Sequence, residues 1–259
     1  MKQLRNLYPA PAWAHYRLSR EPQDKTWTCP QCGVVPPIAF ANGWYGRRPC
    51  ACERAAREAE QTRQLAAELA QARTALTYTW LGRAWAEPGL AAKTFETFHV
   101  ARQPDAYAMA HTFAQQPQGV LVLYGSYGTG KTHVLAAIAN TQAARRQVCR
   151  FASTTLLFGA IGERIGQGAD YLDLFHRATS TPLLLLDDLD KLKPSEFREE
   201  TLYTILNGRN VAGLPLAITS NNPPDKLAPW IGGAGCSRLM QGLIPVPMNG
   251  PDYRMEVQS

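Results

Sequence analysis

The pattern in this chain that is best able to carry chemistry is a glycine-rich loop. Its residues are Gly125, Ser126, Tyr127, Gly128, Thr129, Gly130, Lys131 and Thr132. They match the pattern Gly-x-x-x-x-Gly-Lys-Ser/Thr, which is typical of sites that bind a nucleoside triphosphate with Mg²⁺. The glycines allow the backbone to turn tightly, so that its N–H groups can approach phosphate oxygens. Lys131 is expected to reach the β- and γ-phosphates, and Thr132 is expected to ligate Mg²⁺.

Two elements must position this loop, a buried strand before it and a helix after it. The apolar run Val120–Tyr124 predicts the strand, and a helix is predicted over Lys131–Arg146. Such a helix directs the positive end of its dipole at the phosphates. The loop therefore lies in the setting that phosphate binding requires.

Two carboxylates that fit the same site follow a second predicted strand. Asp187 and Asp188 come after four consecutive leucines, Leu183–Leu186, which suit a parallel strand buried on both faces. Ligands of open α/β sheets bind at the carboxyl ends of the strands. Asp187 is therefore predicted to hold Mg²⁺ and Asp188 to deprotonate the attacking water. No such argument applies to Asp190, which is predicted to be a surface residue.

A polar amide follows the strand predicted over Leu214–Thr219. Asn221 at this strand end can contact the γ-phosphate or the attacking water. Taken alone, the run from Asn221 to Pro224 is typical of a turn. Its place after the other motifs favours a sensor role for Asn221.

Strands and helices are predicted to alternate from about residue 93 onward. The further strands are Val148–Ala152 and Leu243–Val246, and the further helices are Leu156–Ile165, Tyr171–Ala178 and one that begins after Ser195 and runs to Leu206. This alternation predicts an α/β fold, a parallel sheet with helices on both faces.

Four of the six cysteines cluster near the amino terminus: Cys29, Cys32, Cys50 and Cys52. Four thiolates can surround one Zn²⁺ tetrahedrally, and the Cys-Pro-Gln-Cys-Gly knuckle directs two sulfurs at one metal. A structural role is predicted, because a small segment with few aliphatic side chains needs such a cross-link. A redox Cys-x-x-Cys is the alternative, which leaves the second pair unused. The surrounding residues are interpreted as packing around the metal, or alternatively as a surface for a partner or a single strand: Trp27, Phe40, Trp44, Tyr45, Arg47 and Arg48.

Composition divides the chain into three predicted regions. Residues 1–52 form the zinc module, residues 53–92 a helical linker that Gly82–Gly89 interrupts, and residues 93–259 the α/β core.

The net charge of +6 gives weak support for a nucleic-acid partner. No apolar stretch approaches the ~20 residues of a membrane helix. Residues 1–18 contain no signal-peptide-like segment, so no membrane association and a cytoplasmic location are expected.

The order of the motifs resembles that of AAA+ ATPases. It runs from the phosphate loop through Asp187-Asp188 and Thr219-Ser220-Asn221 to Ser237-Arg238-Leu239. More narrowly, the chain resembles the bacterial helicase-loader group of DnaC and DnaI, with the related IstB-type transposition helpers. The resemblance covers about residues 93–254 and includes three further stretches: Lys93–Phe98, His133 directly after the loop, and Tyr203–Asn207.

This resemblance implies further site residues. Arg238 would be an arginine finger that reaches into a neighbouring subunit's site, which requires a head-to-tail homo-oligomer. Arg254 matches a second sensor arginine, although only five residues follow it and leave no room for the helical lid of most AAA+ proteins. His133 joins the nucleotide-binding set, and the aromatic residues of Lys93–Phe98 would pack near the base. A DNA-lining stretch is implied by analogy at Arg164, Tyr171, His176 and Arg177.

The function implied by the resemblance is ATP-dependent delivery of a hexameric replicative DNA helicase onto single-stranded DNA. Many AAA+ proteins have Glu at the position of Asp188, and the shorter Asp suits slow hydrolysis. Loaders of the DnaI and DnaC type often carry an amino-terminal cysteine cluster that docks on the helicase, which favours a loader. The alternatives are an IstB-like helper of a DNA transposase and a nucleotide-gated adaptor with little hydrolysis.

Overall fold

A computed structural model of the chain describes residues 19–81 and 89–253. The predicted interruption of the linker therefore falls, except for Gly89, outside the described residues, and so do Arg254 and the amino-terminal residues 1–18. The described residues form two compact units, which meet in sequence between Glu68 and Leu69. The three-part division at residues 52 and 92 remains a prediction.

The amino-terminal unit is built on two short antiparallel strand pairs and the first part of a long helix. The pairs are β1 with β2 and β3 with β4, over Trp27–Cys29, Gly33–Val35, Ile38–Ala39 and Tyr45–Gly46. Gly33, with φ of 74°, makes the left-handed turn that follows the first two cysteines. Helix α1 covers Ala51–Tyr78 and begins two residues earlier than the predicted linker helix.

The larger unit contains a parallel sheet of five strands: β5 Val120–Tyr124, β6 Cys149–Ser153, β7 Leu183–Asp187, β8 Leu216–Ser220 and β9 Leu243–Pro247. Their order across the sheet is β6-β7-β8-β5-β9. The helices between them are α2 Pro104–Gln115, α3 Lys131–Ala144, α4 Thr154–Gly166, α5 Leu172–Ser180, α6 Glu196–Val211 and α7 Ala228–Met240. Among the helices of the described ranges, none has both the length and the apolar character needed to cross a membrane.

Helices cover both faces of this sheet, and β7 shows why its sequence is continuously apolar. Leu183 and Leu185 pack into the cluster that contains α2 and α3, whereas Leu184 and Leu186 pack into the cluster with α4, α6 and α7. Every residue of β7 is buried. Burial of a leucine side chain stabilises a fold by about 2 kcal/mol, so this strand anchors both layers of the core. The predicted parallel α/β fold is confirmed.

Two predicted helices can be compared with the structure at their boundaries. Helix α3 stops at Ala144, before Arg146 adopts a left-handed φ of 64°. The side chain of Ser195 accepts a hydrogen bond from the backbone N–H of Arg198 at 3.4 Å, so it caps α6 as predicted. Helix α6 continues to Val211, five residues beyond the predicted end at Leu206.

The strand order brings three chain segments together at one edge of the sheet. Strand β8 lies between β5 and β7, and all three run in the same direction. Their carboxyl ends lead into the phosphate loop, Asp187 and Asn221. This edge is where ligands of open α/β sheets bind.

A buried arginine stabilises the opposite side of the larger unit. Arg209 is 1% exposed, and its guanidinium donates hydrogen bonds to the backbone carbonyls of Ala178, Thr179, Thr181 and Pro215. Within residues 19–81 and 89–253, no carboxylate forms an ion pair with it. Burial lowers the pKa of Arg209 to about 10, so the side chain remains charged at neutral pH. It therefore joins the end of α5 to Pro215, the residue before β8.

We expect Arg209→Ala to lower the free energy of unfolding by about 3 kcal/mol, because several buried carbonyls would lose a charged donor. Urea unfolding followed by circular dichroism measures this change. Arg198→Ala, on the same helix but half-buried, serves as the control and should cost less than about 1 kcal/mol. Equal losses in the two variants would contradict a special role for Arg209.

Candidate functional site

Three glycines of the loop between β5 and α3 have left-handed backbone conformations. The φ angles are 132° at Gly125, 71° at Gly128 and 92° at Gly130. A Cβ atom at Gly130 would lie 2.9 Å from Cε2 of Phe98, and one at Gly128 would overlap the carboxylate of Asp252. Both the conformation and the surroundings therefore require glycine at these two positions.

Lys131 begins helix α3 and folds back over the loop. Its Nζ donates hydrogen bonds to the carbonyl oxygens of Gly125 at 2.9 Å and Ser126 at 2.7 Å. The residue is only 6% exposed. The ammonium group thus lies against the loop where a phosphate-binding lysine is needed.

The two predicted magnesium ligands are in direct contact. The Thr132 hydroxyl donates to the Asp187 carboxylate, with distances of 3.1 Å to Oδ1 and 2.9 Å to Oδ2. Asp187 is 3% exposed. A hydroxyl and a carboxylate are hard oxygen ligands, which Mg²⁺ prefers, so this pair fits the ion.

Sequence reasoning did not assign a site role to Thr219, which joins the two aspartates. Its hydroxyl donates to Asp187 Oδ1 and accepts a hydrogen bond from the backbone N–H of Asp188 at 2.8 Å. Asp188 has a left-handed φ of 54°, and its Oδ2 lies 3.1 Å from Nζ of Lys191. The two neighbouring carboxylates therefore have different environments, one buried among hydroxyls and one half-buried beside a cation.

The prediction that Asp190 is a surface residue was wrong. The side chain is half-buried, and its carboxylate accepts hydrogen bonds from the backbone N–H groups of Asn221 and Asn222 at 2.9 and 3.1 Å. The side-chain amides of both asparagines also donate to it, at 3.4 and 2.6 Å. In the sequence, Asp190 follows the end of one predicted strand, and the two asparagines follow the end of another. These residues come into contact because β7 and β8 are neighbours in the sheet.

Aromatic rings, two of them from Lys93–Phe98, pack beside the loop, and their place near the base stays a prediction. The Phe98 ring centroid lies 5.3 Å from that of His133 and 6.3 Å from that of Tyr107, and Phe95 lies 5.4 Å from Tyr107. His133 Nε2 is 2.9 Å from the carbonyl oxygen of Thr94. Burial lowers the pKa of His133, which favours the neutral imidazole at neutral pH. These rings form one wall next to the loop.

The segment after β9 contacts the phosphate loop on another side. The N–H of Met248 donates to the carbonyl of Tyr124 at 2.6 Å, and the N–H of Tyr253 donates to that of Gly128 at 3.2 Å. The Arg102 guanidinium lies 4.3 Å from the centroid of the Tyr253 ring. Arg254, the predicted second sensor, lies outside the described residues.

Residues 91–244 match the family model of the bacterial DnaA ATPase domain. The chain belongs to this family. It is therefore an AAA+ ATPase, and the loop and Asp187 lie within the matched residues.

Two curated relatives extend this assignment. A putative ATP-binding protein in an insertion sequence of Mycobacterium tuberculosis is 29% identical over 141 residues, which are 52% of this chain and 55% of the relative. The replicative helicase loader DnaI of Bacillus subtilis is 32% identical over 108 residues, which are 41% of this chain and 34% of that protein. The chain thus spans about half or less of the length of each relative. The predicted resemblance to loader-group and IstB-type ATPases is confirmed.

A solved structure shares the fold. The crystal structure of DnaI is matched over 66% of this chain and 95% of that chain, with a TM-score of 0.56 and 24% identity. This likeness supports the arrangement of the AAA+ sheet and its helices.

Arg238 lies away from the phosphate loop of the same chain. Helix α7 follows β8 and leads back toward the start of β9, at the amino ends of the strands. Arg238, near the end of this helix, lines a cavity of 180 Å³ with Gly119 and Leu216. Those two residues mark the amino ends of β5 and β8. The length of a five-residue strand, about 16 Å, separates this end from the phosphate loop. The structure therefore does not bring Arg238 together with Lys131 and Asp187.

The cysteine quartet of this ATPase forms a compact cluster. The four Sγ atoms of Cys29, Cys32, Cys50 and Cys52 all lie within 4.8 Å of one another. Sulfurs that each lie about 2.3 Å from one zinc ion are about 3.8 Å apart, so the cluster fits a tetrahedral site. Backbone N–H groups of Gln31 and Cys32 lower the pKa of the Cys29 thiol to about 6, whereas hydrogen bonds to the neighbouring cysteines raise the pKa of Cys52, so without a metal the cluster shares its protons unequally.

Part of the surrounding set packs on this cluster. Trp27 contacts the buried group formed by Cys29, Val35 and Cys50. The Arg47 guanidinium lies 3.8 Å from the centroid of the Trp27 ring. For Trp27 the structure thus favours packing over a free contact surface.

We expect one zinc ion per chain in protein purified without added metal, measured by elemental analysis. Cys50→Ser should lose the metal, and the amino-terminal unit should then be cut rapidly by protease. The control is Cys236→Ser, which changes a half-buried cysteine on α7 and should keep the full zinc content. A metal-free unit that resists protease as well as the metal-loaded form would contradict a structural zinc site.

Proposed function

We propose that this ATPase loads a replicative DNA helicase onto single-stranded DNA and uses slow ATP hydrolysis as a timed switch. The observation that carries the proposal is the combination of an AAA+ core similar to the helicase loader DnaI with a clustered cysteine quartet. The quartet would form the helicase-docking module, and the core would time the release. In this proposal the module covers residues 1–52, the linker 53–92 and the core 93–259.

The proposed chemistry assigns a role to each contact of the ATP site. Lys131 would exchange the carbonyls of Gly125 and Ser126 for phosphate oxygens, which are stronger acceptors for an ammonium group. Thr132 and Asp187 would hold Mg²⁺, which neutralises charge on the transferring phosphoryl group. The remaining proposed contacts to ATP come from the backbone of the loop and from His133, next to the aromatic wall.

Hydrolysis would depend on Asp188 and Asn221. Asp188 is proposed to accept a proton from the attacking water, and Asn221 to contact that water or the γ-phosphate. The nearby Lys191 ammonium competes for the Asp188 carboxylate, since the two groups lie 3.1 Å apart. A base that shares its charge with a lysine is consistent with slow turnover.

The position of Arg238 supports a finger that acts between subunits. At the amino ends of β5 and β8 it is about one strand length from its own loop, so it would serve a neighbouring site in a head-to-tail assembly. A guanidinium stabilises charge as the phosphoryl group transfers, so its loss should affect turnover more than ATP binding.

This role predicts complementation between two inactive variants. Lys131→Ala lacks a working loop but keeps its finger, whereas Arg238→Ala keeps the loop and should bind ATP normally. A mixture of the two can form a complete hybrid site, so ATPase activity should reappear in a steady-state assay. Mixing Lys131→Ala with Asp188→Asn is the control, because no site in that mixture has both a loop and a base. If co-assembled Lys131→Ala and Arg238→Ala stay inactive, Arg238 does not act in trans.

The stretch proposed to contact DNA carries less free positive charge than its sequence suggests. Arg177 Nε lies 2.9 Å from Oδ2 of Asp173, and Arg164 Nη1 lies 3.6 Å from the same oxygen. Tyr171 and His176 complete the proposed set. Asp173 would have to give up these partners if both arginines are to bind phosphates.

The second candidate is an ATPase that helps a DNA transposase select its target. It is favoured by the 29% identity to a putative ATP-binding protein in an insertion sequence. The third, a nucleotide-gated adaptor, would bind ATP but scarcely hydrolyse it, even with DNA and a partner present.

Reconstitution with the replicative helicase of the source organism or its host tests the proposed function. The protein should increase the amount of helicase retained on circular single-stranded DNA in gel filtration, and ATP should be required. Lys131→Ala should abolish this effect. Cys50→Ser should lose helicase binding while it keeps ATPase activity. Failure to bind any replicative helicase, together with stimulation of a transposase on duplex DNA, would replace the loader with the second candidate.

A further inference from the structure

We propose that Asp190 is a positioning residue for hydrolysis, which acts on the attacking water through Asn221. This inference rests on the proposed function of the ATP site and adds a residue that its sequence motifs do not include. Asp190 would hold the amide in the orientation needed for turnover while it contributes little to ATP binding.

Among the described residues, the hydrogen-bond donors to the Asp190 carboxylate are all neutral. Two are the backbone N–H groups of Asn221 and Asn222, and two are their side-chain amides, all at 2.6 to 3.4 Å. No lysine or arginine in the described part of the chain forms an ion pair with Asp190. A half-buried carboxylate without a cation needs several donors, and this one takes all four from the turn that follows β8.

These contacts restrict the amide of Asn221. Its backbone N–H and its Nδ2 both donate to Asp190, so the backbone and the end of the side chain are held by one group. A carboxylate only accepts hydrogen bonds, and therefore the nitrogen side of the amide must face it. These contacts favour one orientation of the amide before any substrate binds, which helps a small group to place a water.

The same turn is fixed to the general base. The N–H of Leu189, a residue buried completely, donates to the carbonyl of Thr219 at 2.9 Å. The hydroxyl of Thr219 accepts the N–H of Asp188 at 2.8 Å. Asp190 extends this connection beyond the strand ends, because it joins the turn after β7 to the turn after β8. The turn that carries the base and the turn that carries the amide are thus joined by several hydrogen bonds.

Loss of this connection should affect turnover rather than binding. Most of the proposed phosphate contacts come from the loop and Lys131, and Asn221 is the one proposed contact from the turn after β8. Residues that orient metal ligands change activity by about 10- to 100-fold when they are removed, and we expect an effect of similar size for a residue that orients a catalytic amide. We therefore expect Asp190→Ala to lower kcat by at least about tenfold and to change the Kd for ATP by less than about twofold.

A double-mutant cycle with Asn221 tests whether Asp190 acts through the amide. Steady-state ATPase assays of Asp190→Ala, Asn221→Ala and the double variant are compared with the wild type. If Asp190 acts through Asn221, the double variant should be no slower than Asn221→Ala alone. Multiplied losses in kcat, or a loss confined to KM, would overturn the proposal.

Two further variants separate positioning from folding. Asp190→Asn retains one acceptor oxygen and nearly the same volume, so it should unfold close to the wild-type temperature and still lose turnover. Asp225→Ala removes an exposed carboxylate from the segment after the same turn and should leave kcat unchanged. If Asp190→Asn keeps wild-type turnover, the carboxylate has no positioning role.

The assay uses the full chain with ATP and Mg²⁺, without helicase or DNA. If the protein fails to load a helicase, the ATPase comparison of the Asp190 and Asn221 variants still tests the role of Asp190. If the losses in kcat multiply in the double variant, the loader proposal is unaffected. The two proposals can fail independently of each other.

Discussion

A carboxylate that is almost completely buried must have its hydrogen bonds satisfied within the protein, and Asp187 imposes this requirement on the ATP site. Its partners come from two different segments, Thr132 at the start of α3 and Thr219 near the end of β8. The side chain of Asp187 therefore links the residue after the phosphate-binding lysine to the ends of β7 and β8. The order of the strands in the sheet makes this possible, because β8 lies between β5 and β7.

Much of the fold could be predicted because its signals are local. The apolar run Val120–Tyr124 has the same bounds in the structure, and the serine that caps α6 is recognisable from its type and position. Four leucines in a row predict a strand covered on both faces, and β7 divides them between two clusters. The phosphate loop is equally local, because its spacing and glycines are contained in one stretch of sequence.

The parts that could not be predicted depend on contacts between strands. Thr219 and Asp190 look ordinary in the sequence, since their partners are about 30 residues away and become neighbours only through the order β7-β8. The separation of Arg238 from the loop of its own subunit likewise follows from the return path of α7. Nothing in its immediate sequence fixes which end of the sheet it reaches. Local patterns thus identify single residues of the site, whereas the topology decides how they are connected.

The close approach of Asp252 and Tyr253 to Gly128 has a mechanical consequence. Gly128 accepts a hydrogen bond from the Tyr253 N–H, and the Tyr253 ring in turn contacts Arg102, two residues before α2. The last described residues of the chain therefore connect the phosphate loop to the start of α2 through side-chain and backbone contacts that bypass the sheet.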